Sequence, residues 1–235
     1  MKMTERADGK DATGAALGFM SGMSEKAGLT GIYHGICRGY KEIHKAEYLN
    51  LFARLQSLKA SAGRIITKEM ADLEAYLDSL TEIKWDQYAP NVVTDVGANA
   101  LLDAGLAGSA YTVTGPYMGI IGAVSYTGVP VAANTMASHS TWTEAGVTNA
   151  PTYTGPRKTI SWSAAASRSK APSAAPVFAF TGSGTAKGVF LCFGSGAVST
   201  IDSTAGVLYS AGLFTGGDQI VANTNTVTVT YTTSL

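Results

Sequence analysis

Charge is spread so unevenly along this chain that its two parts cannot present the same kind of surface. Up to Pro90 there are 24 charged residues, 12 of each sign, and from Asn91 to Leu235 there are only ten. The second part is rich in Ala, Gly, Ser, Thr and Val instead. Such a surface hydrogen-bonds at little desolvation cost and loses little side-chain entropy when covered. It suits a member of a permanent assembly better than a freely diffusing enzyme.

Hydrophobic periodicity divides the chain further. Residues 1–28 read as a Gly-, Ala- and Met-bearing arm whose glycines oppose a long helix. Gly31–Arg38 alternates, with Ile32, His34, Ile36 and Arg38 on one face and Tyr33 and Cys37 on the other, and predicts a strand. The spacing then turns helical. Tyr48, Leu51, Phe52, Leu55 and Leu58 form one apolar stripe; Ile66, Met70, Leu73, Leu77 and Leu80 form another. Thr67 is a credible N-cap for the second run. The pattern predicts a helical hairpin over Lys41–Lys59 and Lys68–Leu80, its stripes facing each other and a third surface. Alternation resumes at Glu82–Tyr88. The helical segment, at about 41–81, therefore reads as an insertion between two paired strands, because an insertion at a hairpin tip adds little loop entropy.

Past Pro90 one short helix is expected, over Val96–Leu106. Strands are expected over Tyr117–Val124, Thr159–Ser163, Val177–Thr181, Ala186–Phe193, Gly206–Phe214 and Gln219–Thr232, divided by Gly/Pro turns. The fold class is therefore mainly β: an antiparallel β-sandwich or jelly-roll-like domain over 29–235, with an inserted α-helical hairpin and an N-terminal arm.

Composition excludes several functions. Lys+Arg and Asp+Glu are both 17, and that neutrality argues against nucleic acid as a partner, since such binding rests on cationic side chains. No apolar run approaches the roughly 20 residues of a membrane span, and no signal-peptide core follows Met1–Arg6. The expectation is a soluble chain made in a cytoplasm. Cys37 and Cys192 read most simply as two partly buried thiols, although a disulfide between them is open.

Chemistry-bearing groups are scarce. His139 with Glu144 and Asp95 is the one polar cluster, and it reads as a loop whose side chains cap turns. His34 and Cys37 have metal-like spacing, but no second pair completes four ligands. Gly182–Lys187 lacks the phosphate-loop pattern and reads as a hairpin turn. Trp85, Trp142 and Trp162 read as core residues before they read as a sugar platform. We expect no catalytic, cofactor-binding or metal site, and no enzyme.

Several segments resemble a family of small tailed-bacteriophage virion proteins. They are Trp85 followed by Asn91-Val92-Val93-Thr94-Asp95-Val96-Gly97, then Gly108-Ser109-Ala110-Tyr111-Thr112, Tyr117–Ile121, Ala137–Glu144, Leu208–Asp218 and Val227–Thr232. The resemblance spans about 82–235 and the strand at 31–38; the helical hairpin departs from it. It implies a structural component of a tailed phage particle. Two roles are expected. One is a capsid decoration or cement protein on the head's outer shell, partnered by the major capsid protein and by neighbouring copies of itself as a homo-oligomer. The alternative is a tail-fibre or tail-appendage protein involved in host attachment.

Overall fold

The computed structural model describes residues 30–62, 67–106 and 114–234. The expected arm, Ile66 and the segment 108–112 lie outside the described residues. Three helices and eleven strands follow in chain order: β1 (Thr30–Tyr40), α1 (Lys45–Ala62), α2 (Lys68–Ser79), β2 (Thr81–Val93), α3 (Asp95–Leu106), β3 (Tyr117–Gly122), β4 (Thr143–Ala145), β5 (Lys158–Thr159), β6 (Ser169–Lys170), β7 (Val177–Ala179), β8 (Gly184–Phe193), β9 (Val207–Leu213), β10 (Gln219–Val221) and β11 (Thr226–Ser234).

β1 pairs antiparallel with β2 on one side and with β11 on the other. β3, β8 and β9 form a second antiparallel group, with short β4 and β5 beyond β3. β2 belongs to both groups. It runs beside β1 as far as Pro90, then pairs Asn91–Val93 with Gly212–Ser210 of β9. The transfer has a local cause. Pro90 has no N–H to donate, and Gly212 lets the backbones approach, since a Cβ there would lie 2.5 Å from the Pro90 carbonyl oxygen.

The two groups bury their facing sides together as a mainly-β sandwich. Tyr33, Cys37, Val227, Val229 and Tyr231 meet Met118, Ile120, Val189, Leu191, Phe193 and Tyr209. The Tyr33 hydroxyl crosses the core and donates to the Ser210 carbonyl, 3.2 Å away. β8 is buried on both faces, because Phe190 and Cys192 point away from this core into a second cluster. There they join Ile121 and Leu208 beneath Met136 and Trp142, which belong to the loop between β3 and β4. β11 alternates as its sequence predicts: Val227, Val229 and Tyr231 are buried, and Thr228, Thr230 and Thr232 face outward.

The helical hairpin lies between paired strands, with Tyr40 opposite Thr81 at its base. Its first helix begins later than expected. Lys41 is extended and Glu42–His44 form a 3-10 turn before α1. Thr67 caps α2, its hydroxyl accepting from the Met70 amide at 3.3 Å. Tyr48, Leu55, Met70, Leu77 and Leu80 form a cluster of their own, and the third surface is Tyr40 of β1.

Other expectations need correction. Gln219–Thr232 is two strands, divided by a turn in which Thr224 holds φ at +74°. Of the expected Thr159–Ser163 only Thr159 lies in a strand, the two-residue β5, and the short β4 and β6 carried too little pattern to be read. Gly182-Ser183 is not a hairpin turn: it connects β7, which pairs β11, to β8, which pairs β3 and β9. α3 begins at Asp95, one residue before the expected start. Leu101 and Leu102 are exposed, while Gly97 and Ala100 face the sheet. Both thiols are free and fully buried, in separate clusters.

Candidate interaction face and pocket

The outward face of β2-β1-β11 is built in rows. Ile32 sits between Pro90 and Thr232, His34 between Tyr88 and Thr230, and Ile36 between Asp86 and Thr228. Farther along, Arg38 lies opposite Ile83. Period-two side-chain alternation makes this face unavoidable once Tyr33 and Cys37 are committed to the core. Tyr88 and Ile83 are each about half exposed, at 49% and 51%. The His34 ring stacks on Tyr88 with centroids 4.3 Å apart and donates through Nε2 to Asp86 Oδ1 at 2.6 Å. The charge of Asp86 is thereby engaged on the face itself. What remains is a threonine-and-isoleucine surface with one aromatic stack and the exposed Arg38 at its far end. Cross-strand register placed these groups together, and a single strand's sequence does not carry register. The available signal was the presence of apolar residues on both faces of β1.

The sheet edges offer less. Among the described strands, β4, β7 and β10 have three residues and β5 and β6 two, while the longest edge is that of β2, which pairs with β1 alone over Thr81–Pro90. Short edges present few unpaired backbone groups for strand addition.

The expected polar cluster separates into three independent contacts. His139 donates through Nδ1 to the Trp142 carbonyl at 3.0 Å and stacks on that indole. Asp95 opens α3 and gives its amide to the Ala132 carbonyl. Glu144 is paired with Arg157, a residue the sequence did not single out. The guanidinium donates to both carboxylate oxygens, at 2.9 and 2.7 Å, and both side chains are almost wholly out of water. Arg157 also donates to the carbonyls of Val198 and Ser203, and Asp202 gives its amide to Glu144. Burial pushes the Glu144 carboxyl above the usual carboxylate range against the pull of Arg157. Burial works against the guanidinium's charge too, but its bonds to Glu144 hold it charged. The pair ties β4 to the loops at 157 and 198–203. It is a structural clamp with no substrate-facing surface. Charge scarcity was the signal that could have found it, because a buried Glu needs a partner.

His34 and Cys37 stand three apart on a strand and so point to opposite faces. Cys37 accepts from Asn225 inside the core, and burial pushes its thiol up to about 11. Among the described residues, no group of three or more His, Cys, Asp or Glu is placed to hold a metal. Trp142 is in the core, with its Nε1 donating to Asn134. Trp85 packs on Phe214 and donates to the Ile220 carbonyl at 3.0 Å. Trp162 lines a pocket.

That pocket, of about 510 Å³, opens at the end of the sandwich where β6 joins β11. Its interior is aromatic and aliphatic, from Trp162, Leu191, Phe193, Tyr209 and Tyr231, with Leu101 of α3 at one side. The hairpin from Trp162 to Pro172 overhangs it and brings Arg168 and Lys170 to its lining.

Compared with known proteins, the chain matches no protein-family model, no curated protein and no solved structure.

Proposed function

We propose that this chain is a structural component of a tailed phage particle that decorates the outer shell of the head as a cement protein. The observation that carries the reading is the outward face of β2-β1-β11, an array of Ile32, Ile36, Tyr88, Pro90 and three threonines around the single His34–Asp86 pair. Burying such a face gains roughly 25 cal/mol per Å² of apolar area and strips few charges of water. Repetition over many copies lets modest contacts bridge neighbouring capsid subunits, and whatever binds only the assembled shell stabilises it by mass action. Face-on burial of this array is the mode of attachment on this reading. The sequence resemblance to small phage virion proteins supports a structural component of a phage particle. The partners on this reading are the major capsid protein and further copies of this chain.

One feature favours the tail-appendage alternative. The helical hairpin packs on itself, carries the Arg54–Glu69 and Lys59–Glu74 pairs on its surface and extends from a strand tip, as an anchoring element would.

The test is co-sedimentation of purified full-length protein with heads stripped of it. Ile32→Lys and Tyr88→Glu should each abolish binding while leaving the circular dichroism unchanged, and 0.5 M salt should weaken wild-type binding only slightly (a salt level chosen to shrink screening to roughly 4 Å). Undiminished binding by both variants would overturn the assignment of this face.

A further inference from the structure

We propose that the pocket beneath the Trp162–Pro172 hairpin binds a single alkyl chain ending in an anionic group, with a free fatty acid as its ligand class. Four observations carry this. The cavity, at about 510 Å³, falls in the range of small-ligand sites, roughly 300–1,000 Å³. Its interior polar groups are already engaged. The Tyr231 hydroxyl accepts from Asn91 Nδ2 at 3.0 Å, and the Tyr209 hydroxyl bonds Thr233 Oγ1 at 3.4 Å. An occupant therefore meets only apolar surface inside.

The lining carries two cations and no acid: among the described residues, neither Arg168 nor Lys170 has an ion-pair partner. Two of the ten charges beyond Asn91 thus converge on one apolar opening. Asp103, two residues past Leu101 on α3, lies on a different side of that helix. The fourth observation is the turn itself. Ser167 and Arg168 hold φ at +49° and +62°, the two-residue hairpin geometry that Asn-Gly adopts most easily. Backbone strain placed where it delivers a cationic side chain to a cavity points to use of that side chain. Apolar interior and cationic lining together select an amphipathic anion over a neutral or cationic one. The site is separate from the face assigned to the shell, so the two readings stand or fall independently.

The experiment titrates full-length protein with dodecanoate, dodecanol and dodecyltrimethylammonium, each below its micelle concentration, by calorimetry. Dodecanoate should bind at least about tenfold more tightly than the ammonium, a difference near 1.4 kcal/mol. Arg168→Ser with Lys170→Ser should erase that preference and leave dodecanol binding unchanged. Ala165→Trp, which fills the cavity from its exposed hairpin position, should weaken all three ligands while circular dichroism reports a retained fold. Equal affinity for the three ligands, no binding by any, or undiminished binding by Ala165→Trp would each overturn the proposal. So would preferential binding of a peptide of residues 11–25 or of anionic phospholipid vesicles, which would make the opening a protein or membrane contact.

Discussion

Arg157 and Glu144 close a two-pronged ion pair with 1% and 3% of their side chains exposed, and that pair holds two loops, at 157 and at 198–203, on one strand. Removing one partner strands the other in a low-dielectric site, at a cost of about 3–5 kcal/mol. We therefore expect Arg157→Met to lower unfolding stability by that amount in urea titrations. Replacing both, as Glu144→Leu with Arg157→Leu, should recover most of the loss. A double variant as unstable as the single one would mean that the bonds to Val198 and Ser203 dominate instead.

Thr94 and Gly97 explain one motif physically. The Gly97 amide donates to the Thr94 hydroxyl at 3.1 Å, capping α3, and the same hydroxyl reaches the Leu208 carbonyl. Thr94→Ala should lose about 1–2 kcal/mol, and Thr94→Ser should restore most of it. At Gly97 two effects oppose each other. Alanine is the better helix former by about 1 kcal/mol. Its Cβ, however, would lie 2.6 Å from the Tyr209 carbonyl oxygen, so α3 must move off β9. We expect the clash to win, with Gly97→Ala net destabilising by about 1–3 kcal/mol. A stabilised variant in thermal melts would contradict the seating of α3.

The hairpin should be dispensable for the sheet. Its core is separate from the sandwich core, and Tyr40 pairs with Thr81 at its base. Replacing Lys41–Leu80 by Asn-Gly should keep the strand signature in circular dichroism and remove only the helical one. Insoluble protein would show that α1 and α2 are integral to folding.

Alkaline pH tests the interior. Burial pushes both thiols up to about 11 from an ordinary 9.0. Above pH 9 the unfolded chain releases thiol protons that the folded chain retains. Stability should therefore be full below pH 9 and decline toward pH 11, by on the order of 2–3 kcal/mol per thiol. Buried Tyr33 and Tyr231 are also raised and act in the same direction. Native protein at pH 8 should resist iodoacetamide at both cysteines; rapid alkylation would place a thiol at the surface.

The sandwich class, the helical hairpin and the alternation of β11 were legible because each is a local period: 3.6 in the stripes of Tyr48–Leu58, two in Val227–Tyr231. The rest required distance. Arg157 meets Glu144 through loops, and His34 finds Tyr88 and Asp86 only through strand register. The hairpin over the pocket turns on Ser167-Arg168, where no glycine marks the turn. The seating of α3 left no periodic trace, because the residues against β9 are the small Gly97 and Ala100 while Leu101 and Leu102 are exposed.

Attachment to the head shell would show in particle stability. Particles carrying this chain should be compared, by heat-induced DNA release, with particles stripped of it and with stripped particles given back the purified protein. Stripped particles should rupture at lower temperature, the added protein should restore resistance, and adsorption to host cells should be unchanged. Stripped particles with normal heat resistance that fail to adsorb would contradict head attachment and place the protein on the tail.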